Sequence, residues 1–439
     1  MMSGTTRRSP SPSVLRHALD RRTLLKGAAG AAALGLVLPS GRALAEVKPG
    51  TATGNLTVGS NHSDKLDKPG VQAMIGAFPN KNVKVTINTT DHNTFQQNIT
   101  TYLQNPDDMM AWFSGYRMRY FAAQGLVGDI SDVWAAGLND SLGAGFKTAS
   151  TGDDGKQYFV PTTYYIWGIH YRPSVFAANG WTPPKTKDEL MSLASNMKDK
   201  GLIPFAFAND GNWPAMGTFD KLNFRMNGYK FHVDLMAGKE KWTDDRVKAV
   251  FTEWQTLLPF QQENPNGRKW QEGADALVSK QAGMMTLGTF IGQQFPNGDA
   301  SDLDFFSFPE SNKEFGTDTV EAPLDGWMMA SKPKNAAAAK ELLQFLGTAP
   351  AQTAYLKVDN TVVVAPPGVD ASIYNPLQKK VAAAVSSAKT VTQFLDRDTS
   401  PEFASNVAGQ ALADFLANPS KIDGILKDMQ TQAEAILGS

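Results

Sequence analysis

A chain of 439 residues, 42% hydrophobic and 19% charged, exceeds what one core usually supports, so two domains are the default. Its formal net charge is only −1, which argues against nucleic acid or an anionic membrane as the main partner, since both call for a basic patch. The chain has no cysteine, which excludes disulfides, thiolate metal sites, a cysteine nucleophile and lipid attachment through cysteine.

At the N-terminus, Arg21-Arg22-Thr23-Leu24-Leu25-Lys26 precedes an apolar Gly/Ala-rich run over residues 27–38 and then Ala43-Leu44-Ala45. A basic segment, an apolar segment shorter than the ~20 residues that span a bilayer, and an A-x-A site form an export signal, with cleavage expected before Glu46. The paired arginines resemble the twin-arginine type of signal, which carries folded proteins. Removing residues 1–45 takes away seven basic side chains and one acidic one, moving the net charge from −1 to −7. The expected product is soluble and exported, to the periplasm or the outer face of the cytoplasmic membrane.

Along the remaining chain, residues 55–59 alternate Leu56 and Val58, and residues 82–88 alternate Val83, Val85 and Ile87. Between them Val71, Met74, Ile75 and Phe78 recur at helical spacing, which predicts a strand-helix-strand unit with parallel strands. Phe95, Ile99, Tyr102 and Leu103 form another helical stripe, followed by a buried-strand run at residues 109–113. Thr186 with Glu189 reads as a capping box for a helix carrying Leu190, Leu193, Ala194 and Met197, which Gly201 stops. Strands are expected at residues 203–208 and 327–330, and Asn335 as the cap of a helix carrying Ala339, Leu342, Leu343 and Leu346. Strands alternating with helices make an α/β protein.

An ordered set of motifs carries a resemblance. Asp154-Gly155-Lys156-Gln157-Tyr158-Phe159-Val160-Pro161 is followed by Tyr171-Arg172-Pro173 with Phe176 and Gly180, then Pro184-Lys185-Thr186 with Glu189-Leu190. Asn105-Pro106-Asp107-Asp108, residues 123–130, Gly283-Met284-Met285 with Gly288, and Gly326-Trp327 leading into residues 340–346 complete it. The set resembles family 1 extracellular solute-binding proteins, the maltose-binding-protein-like group; Arg172 stands where the family usually has Asn, and Gly283 where it has Ala.

The resemblance implies a two-lobed periplasmic-binding-protein fold, its lobes closing on a ligand cleft by hinge motion. By matching segments, one lobe would hold residues 46–161 and 309–347, the other 162–308 and 348–439. It further implies a monomeric receptor for a mono- or oligosaccharide that delivers its ligand to an ABC-type permease and, through it, an ATPase subunit. No cofactor is implied.

Ligands of α/β sheets bind beyond the carboxyl ends of strands, and sugars need flat aromatic faces with carboxylates or amides. Candidate stacking residues are Trp213, in a loop-like Gly/Asn stretch, then Trp327 and Trp270. Tyr165 and Trp167 share one face of the first crossover strand and suit either cleft or core. Asp91 and Asp325 are candidate hydroxyl acceptors, although a loop Asp is often a helix cap. His92, Asn93, Ser114, Gly115 and Gly326 complete the candidates by position. Trp242 and Trp254 read as core.

Enzyme signatures are weak. His62, His92, His170 and His232 are widely separated and lack H-E-x-x-H spacing, and no G-x-S-x-G or P-loop occurs. The rivals are an exported glycoside hydrolase with paired carboxylates and the same fold binding a peptide, polyamine or phosphodiester. The exported form is expected to start at Glu46 and to stay in solution without detergent. Intact-mass analysis checks this, and a retained signal or a lipid adduct would contradict it.

Overall fold

The computed structural model describes residues 50–296 and 300–438, so the export signal and the cleavage expected before Glu46 lie outside the described residues. Among the described residues twelve strands form two main sheets and one short ribbon. The first strands are β1 (Gly54–Ser60), β2 (Val83–Thr89) and β3 (Met109–Phe113). Helix α1 (Asp67–Gly76) follows β1 and α2 (His92–Tyr102) follows β2. β1 pairs parallel with β2, as the alternation predicted, and also with β3. All five residues of β3 are buried, as expected of an interior strand covered on both faces.

A six-stranded sheet runs β11-β4-β10-β3-β1-β2, adding β4 (Val160–Tyr164), β10 (Leu324–Met329) and β11 (Val363–Val364). A second, four-stranded sheet runs β6-β7-β5-β8, from β5 (Trp167–Tyr171), β6 (Ile203–Ala206), β7 (Ala282–Gly288) and β8 (Asp304–Phe306). The chain thus leaves the first sheet at Tyr164 and enters the second at Trp167, so the crossing falls later than the expected 161/162 boundary. β9 (Thr319–Glu321) and β12 (Thr390–Thr392) make a separate parallel ribbon. The return boundary expected at 347/348 also moves. Residues 349–356 pack on α1, and β11 still pairs with β4, because their apolar faces are complementary to the first sheet's layer.

Local chemistry explains several elements. Thr186 and Glu189 form the expected reciprocal capping box at the start of α4 (Lys187–Asp199), after α3 (Tyr116–Ala123). The expected loop at Trp213 is instead the first residue of a helical stretch, α5 (Trp213–Met236), which has Pro214 in its first turn and is broken by a kink at Gly228, where φ is 77°. Helix periodicity does not reveal α5, because it runs through the second lobe and is buried on nearly all sides. Helices α6 (Asp245–Leu257) and α7 (Trp270–Val278) complete that lobe's middle. Trp254 is fully buried and Trp242 is 1% exposed, each against other aromatic rings.

One buried ion pair ties α5 to the ribbon: Lys221 Nζ donates to Glu321 Oε2 at 2.8 Å, with both side chains almost wholly buried. Burial lowers the Lys221 pKa and raises that of Glu321, each partner opposing the shift of the other. Lys221→Met would leave a carboxylate buried without its cation, at a cost of about 3–5 kcal/mol. Denaturant unfolding should show that loss, and a variant as stable as the parent would refute the pair's structural weight.

Candidate functional site

Strands deliver their carboxyl ends, and helices their N-termini, to one cavity between the two sheets. The segment after β1 supplies Asn61, His62, Asp64 and Asp67, and α2 supplies His92 and Gln96. From the other side come Trp213 and Trp270, each the first residue of its helix. The crossings contribute Thr163, Tyr165, Trp167, Asp325 and, late in the chain, Phe394, Asp396 and Arg397. The space they enclose is about 840 Å³, part of it open to solvent.

Phe290 is the hub of the aromatic wall. It meets Tyr165 at 5.1 Å and Trp270 at 5.2 Å between ring centroids, both edge to face. Trp213 stands 6.1 Å and Trp167 6.4 Å from it. Trp167 in turn stacks on Phe394 at 4.7 Å. Such offset and edge arrangements are the favoured ones for aromatic pairs.

The polar floor is built on Arg397. Its guanidinium pairs with Asp325 at 2.9 Å, donates to Tyr165 Oη at 2.9 Å and to the Leu324 carbonyl at 3.1 Å, and lies 4.1 Å over the Phe113 ring. A register shift between Asp325 and Gly326 in β10 aims the Asp325 carboxylate into the cavity. Gly326 is required there by close approach, since a Cβ would sit 2.1 Å from the Val160 carbonyl oxygen. Behind this floor Arg117 donates to Asp396 at 2.9 Å and to Gln96 Oε1 at 2.7 Å.

Burial disfavours charge on several lining groups. It raises Asp325, with Arg397 pulling the other way, and also raises Asp359. It lowers His92 to about 4, so that imidazole is neutral at pH 7. Burial likewise opposes a proton on His62, but Asp67 at 3.3 Å overrides it and the net shift is upward. Burial and the neighbouring Asp67 push Asp64 up to about 7, while Gln271 from the other side of the cavity donates to it at 2.8 Å.

Six residues expected from sequence line this cavity: Trp213, Trp270, Tyr165, Trp167, Asp325 and His92. Others stand elsewhere. Trp327 is fully buried, its ring 5.8 Å from His62, because β10 lies between layers. Asp91 caps α2 by accepting from the Thr94 amide at 3.0 Å, so the cap role prevails over hydroxyl acceptance. Ser114 is buried and donates to Gln393 at 3.1 Å, and Gly115 precedes α3 against the Arg397 backbone. Asn93 reaches across to Trp213 and Asp210. Sequence reasoning overlooked residues 61–67, although the rule of strand carboxyl ends points to them after β1. Nothing in the local sequence of Phe394, Asp396 and Arg397 marks them, since only the return of the chain brings them to the cavity.

A family model described as bacterial extracellular solute-binding protein matches residues 62–353. An uncharacterised ABC-transporter extracellular-binding protein of Pyrococcus horikoshii is 24% identical over 295 residues, 65% of this chain and 64% of that protein. The multiple sugar-binding protein of Streptococcus mutans is 27% identical over 234 residues, 51% of this chain and 54% of that protein. The chain thus spans just under two thirds of the first and about half of the second. Among solved structures, the bacterial solute receptor AcbH, described as exclusively preferring β-D-galactopyranose, is 43% identical with a TM-score of 0.85, over 88% of this chain and all of that one.

Asp64 offers a pH test of the cavity. Its folded-state pKa, about 7, lies above the ordinary 3.8, so its stabilising contribution is complete below about 3.8 and is lost as pH rises through 7. Asp64→Asn should therefore flatten the fall in melting temperature between pH 4 and 7. An unchanged slope in thermal unfolding would show that Asp64 is not the group responsible.

Proposed function

The chain belongs to the bacterial extracellular solute-binding protein family, and from that premise we propose that it is an exported sugar receptor serving an ABC-type importer. The supporting observation is the combination of an aromatic wall with unsatisfied polar atoms of both kinds on the cavity residues. Asp67 Oδ1 is a buried acceptor without a hydrogen-bond partner, and the indole N–H groups of Trp112 and Trp167 are buried donors in the same condition. A hydroxyl is donor and acceptor at once, so a polyol ring can satisfy both sets while its C–H face rests on a ring such as Trp213 or Trp270. Leaving such atoms unpaired costs about 1–3 kcal/mol each, a cost that a fitting ligand removes.

Charge narrows the ligand class. Asp64, Asp67, Asp325, Asp359 and Asp396 line the cavity, and Arg397, its one arginine, is already held by Asp325, Tyr165 and Leu324. Sugar acids and phosphorylated sugars would meet carboxylates without a free guanidinium to pair with. A neutral hexose fits best, and β-D-galactopyranose, the ligand described for AcbH, is the first to test. The same acidic, aromatic lining supports a polyamine as the second reading, since cations are attracted to both groups. The cavity's role is capture and release, with a membrane permease as the partner and no catalysed step.

Thermal-shift screening of neutral sugars, galacturonate and spermidine separates the readings, because binding to the native state raises the melting temperature. D-Galactose should stabilise the protein and galacturonate should bind at least tenfold more weakly. Stabilisation by spermidine alone would move the assignment to the second reading, and release of product from a glycoside would oppose both. Trp213→Ala should weaken binding of the best sugar by about 2 kcal/mol, roughly thirtyfold, as truncating a central aromatic contact commonly does. Calorimetric affinity unchanged in that variant would remove Trp213 from the binding wall.

A further inference from the structure

Asn93 stands in the first turn of α2, on the six-stranded-sheet side of the cleft, yet both of its polar groups are used by the opposite side. Its Oδ1 accepts from Trp213 Nε1 at 3.1 Å, and its Nδ2 donates to Asp210 Oδ2 at 3.2 Å. Gly211, between those partners, has φ 75°, and a Cβ there would lie 2.8 Å from the carbon, nitrogen and oxygen of the Asn93 amide. Residues 210–213 therefore form a socket whose floor is an absent side chain and whose walls are one donor and one acceptor. The socket is itself anchored, since the Asp210 amide donates to the Arg268 carbonyl at 2.9 Å. Only a side-chain amide of this length matches it, because a carboxylate would face Asp210 and an alanine would reach neither partner.

Other bridges span the same cleft, Gln271 to Asp64 at 2.8 Å and the Leu66 amide to Gln293 at 3.1 Å. Asn93 differs from them in gripping a residue of the aromatic wall. We propose that Asn93 is a clasp that holds the two lobes together and sets the orientation of the Trp213 indole, so that the stacking surface is completed by closure. It is a positioning residue, acting on a bound sugar through Trp213. Its role at the sugar rests on the reading above, whereas the clasp itself can be measured without any sugar.

The natural absence of cysteine makes the measurement direct. Thr100→Cys and Asp428→Cys, both at exposed positions in different lobes, accept spin labels for distance measurement by double electron–electron resonance. The parent pair is compared with versions carrying Asn93→Ala, Asn93→Asp or Gly211→Ala, each first shown to unfold cooperatively, with and without 10 mM D-galactose. The expected result is a short-distance population in the parent that falls at least about thirtyfold in Asn93→Ala and Gly211→Ala, as expected from losing one neutral and one charge-assisted hydrogen bond. Asn93→Asp should be open at pH 7 and regain the short distance near pH 4, where protonation restores a donor. D-Galactose should leave Asn93→Ala about tenfold faster than the parent. Distances indifferent to Asn93 in both conditions overturn the clasp, as does a parent lacking the short distance in both. A parent that shows the clasp but is unaffected by every sugar in the screen leaves the clasp standing and sinks the sugar reading.

Discussion

The guanidinium of Arg397 is the point on which the cavity depends. It reaches the floor from the returning C-terminal segment and there engages Asp325 and the Leu324 carbonyl of β10, the Tyr165 hydroxyl of the first crossing and the face of Phe113 at the end of β3. Three stretches far apart in the chain thus share one buried cation. Breaking such an arrangement on one side leaves an uncompensated charge, which is far more costly than removing both partners. The floor is accordingly rigid, and the groups left free on it are fixed in direction before any solute arrives.

Around that floor the second lobe contributes mostly surface, and the first lobe mostly charge. Trp213, Trp270, Trp167 and Phe290 form the wall from one side, and Asp64, Asp67 and Asp359 face them from the other. Neither half alone would select a polyol: rings without carboxylates would accept any flat apolar molecule, and carboxylates without rings would accept cations. Their juxtaposition depends on the crossings, and therefore on how the lobes meet. The cross-cleft hydrogen bonds of Asn93, Asp64 and Gln293 show that the meeting is specific in its side chains as well as in its outline.

Burial does the remaining electrostatic work. A neutral His92, a raised Asp64 and a raised Asp325 follow from the same removal of water that strengthens every polar contact within the cavity. Asp64, held up at about 7, is only partly ionised at neutral pH, so the cavity holds less charge than its five carboxylates suggest, which suits an uncharged ligand.

Much of this was legible in the linear sequence. Alternation at Leu56 and Val58 and at Val83, Val85 and Ile87 determined the parallel strands, and Thr186 with Glu189 determined the start of α4, because these features depend on neighbours two to four residues away. The ordered motifs from Asp154 to Trp327 pointed to the two-lobed family. Helix α5 was hidden because a helix buried on nearly every side has no apolar stripe to read. Trp213 ranked ahead of Trp327 as a stacking candidate, but only packing decided that Trp327 is sealed within a sheet and Trp213 stands at a helix start on the cleft. Arg397, Asp396 and Phe394 carry no local sign at all. Their place is decided by long-range topology, which brings residues more than 200 positions apart into contact and which no short window of sequence encodes.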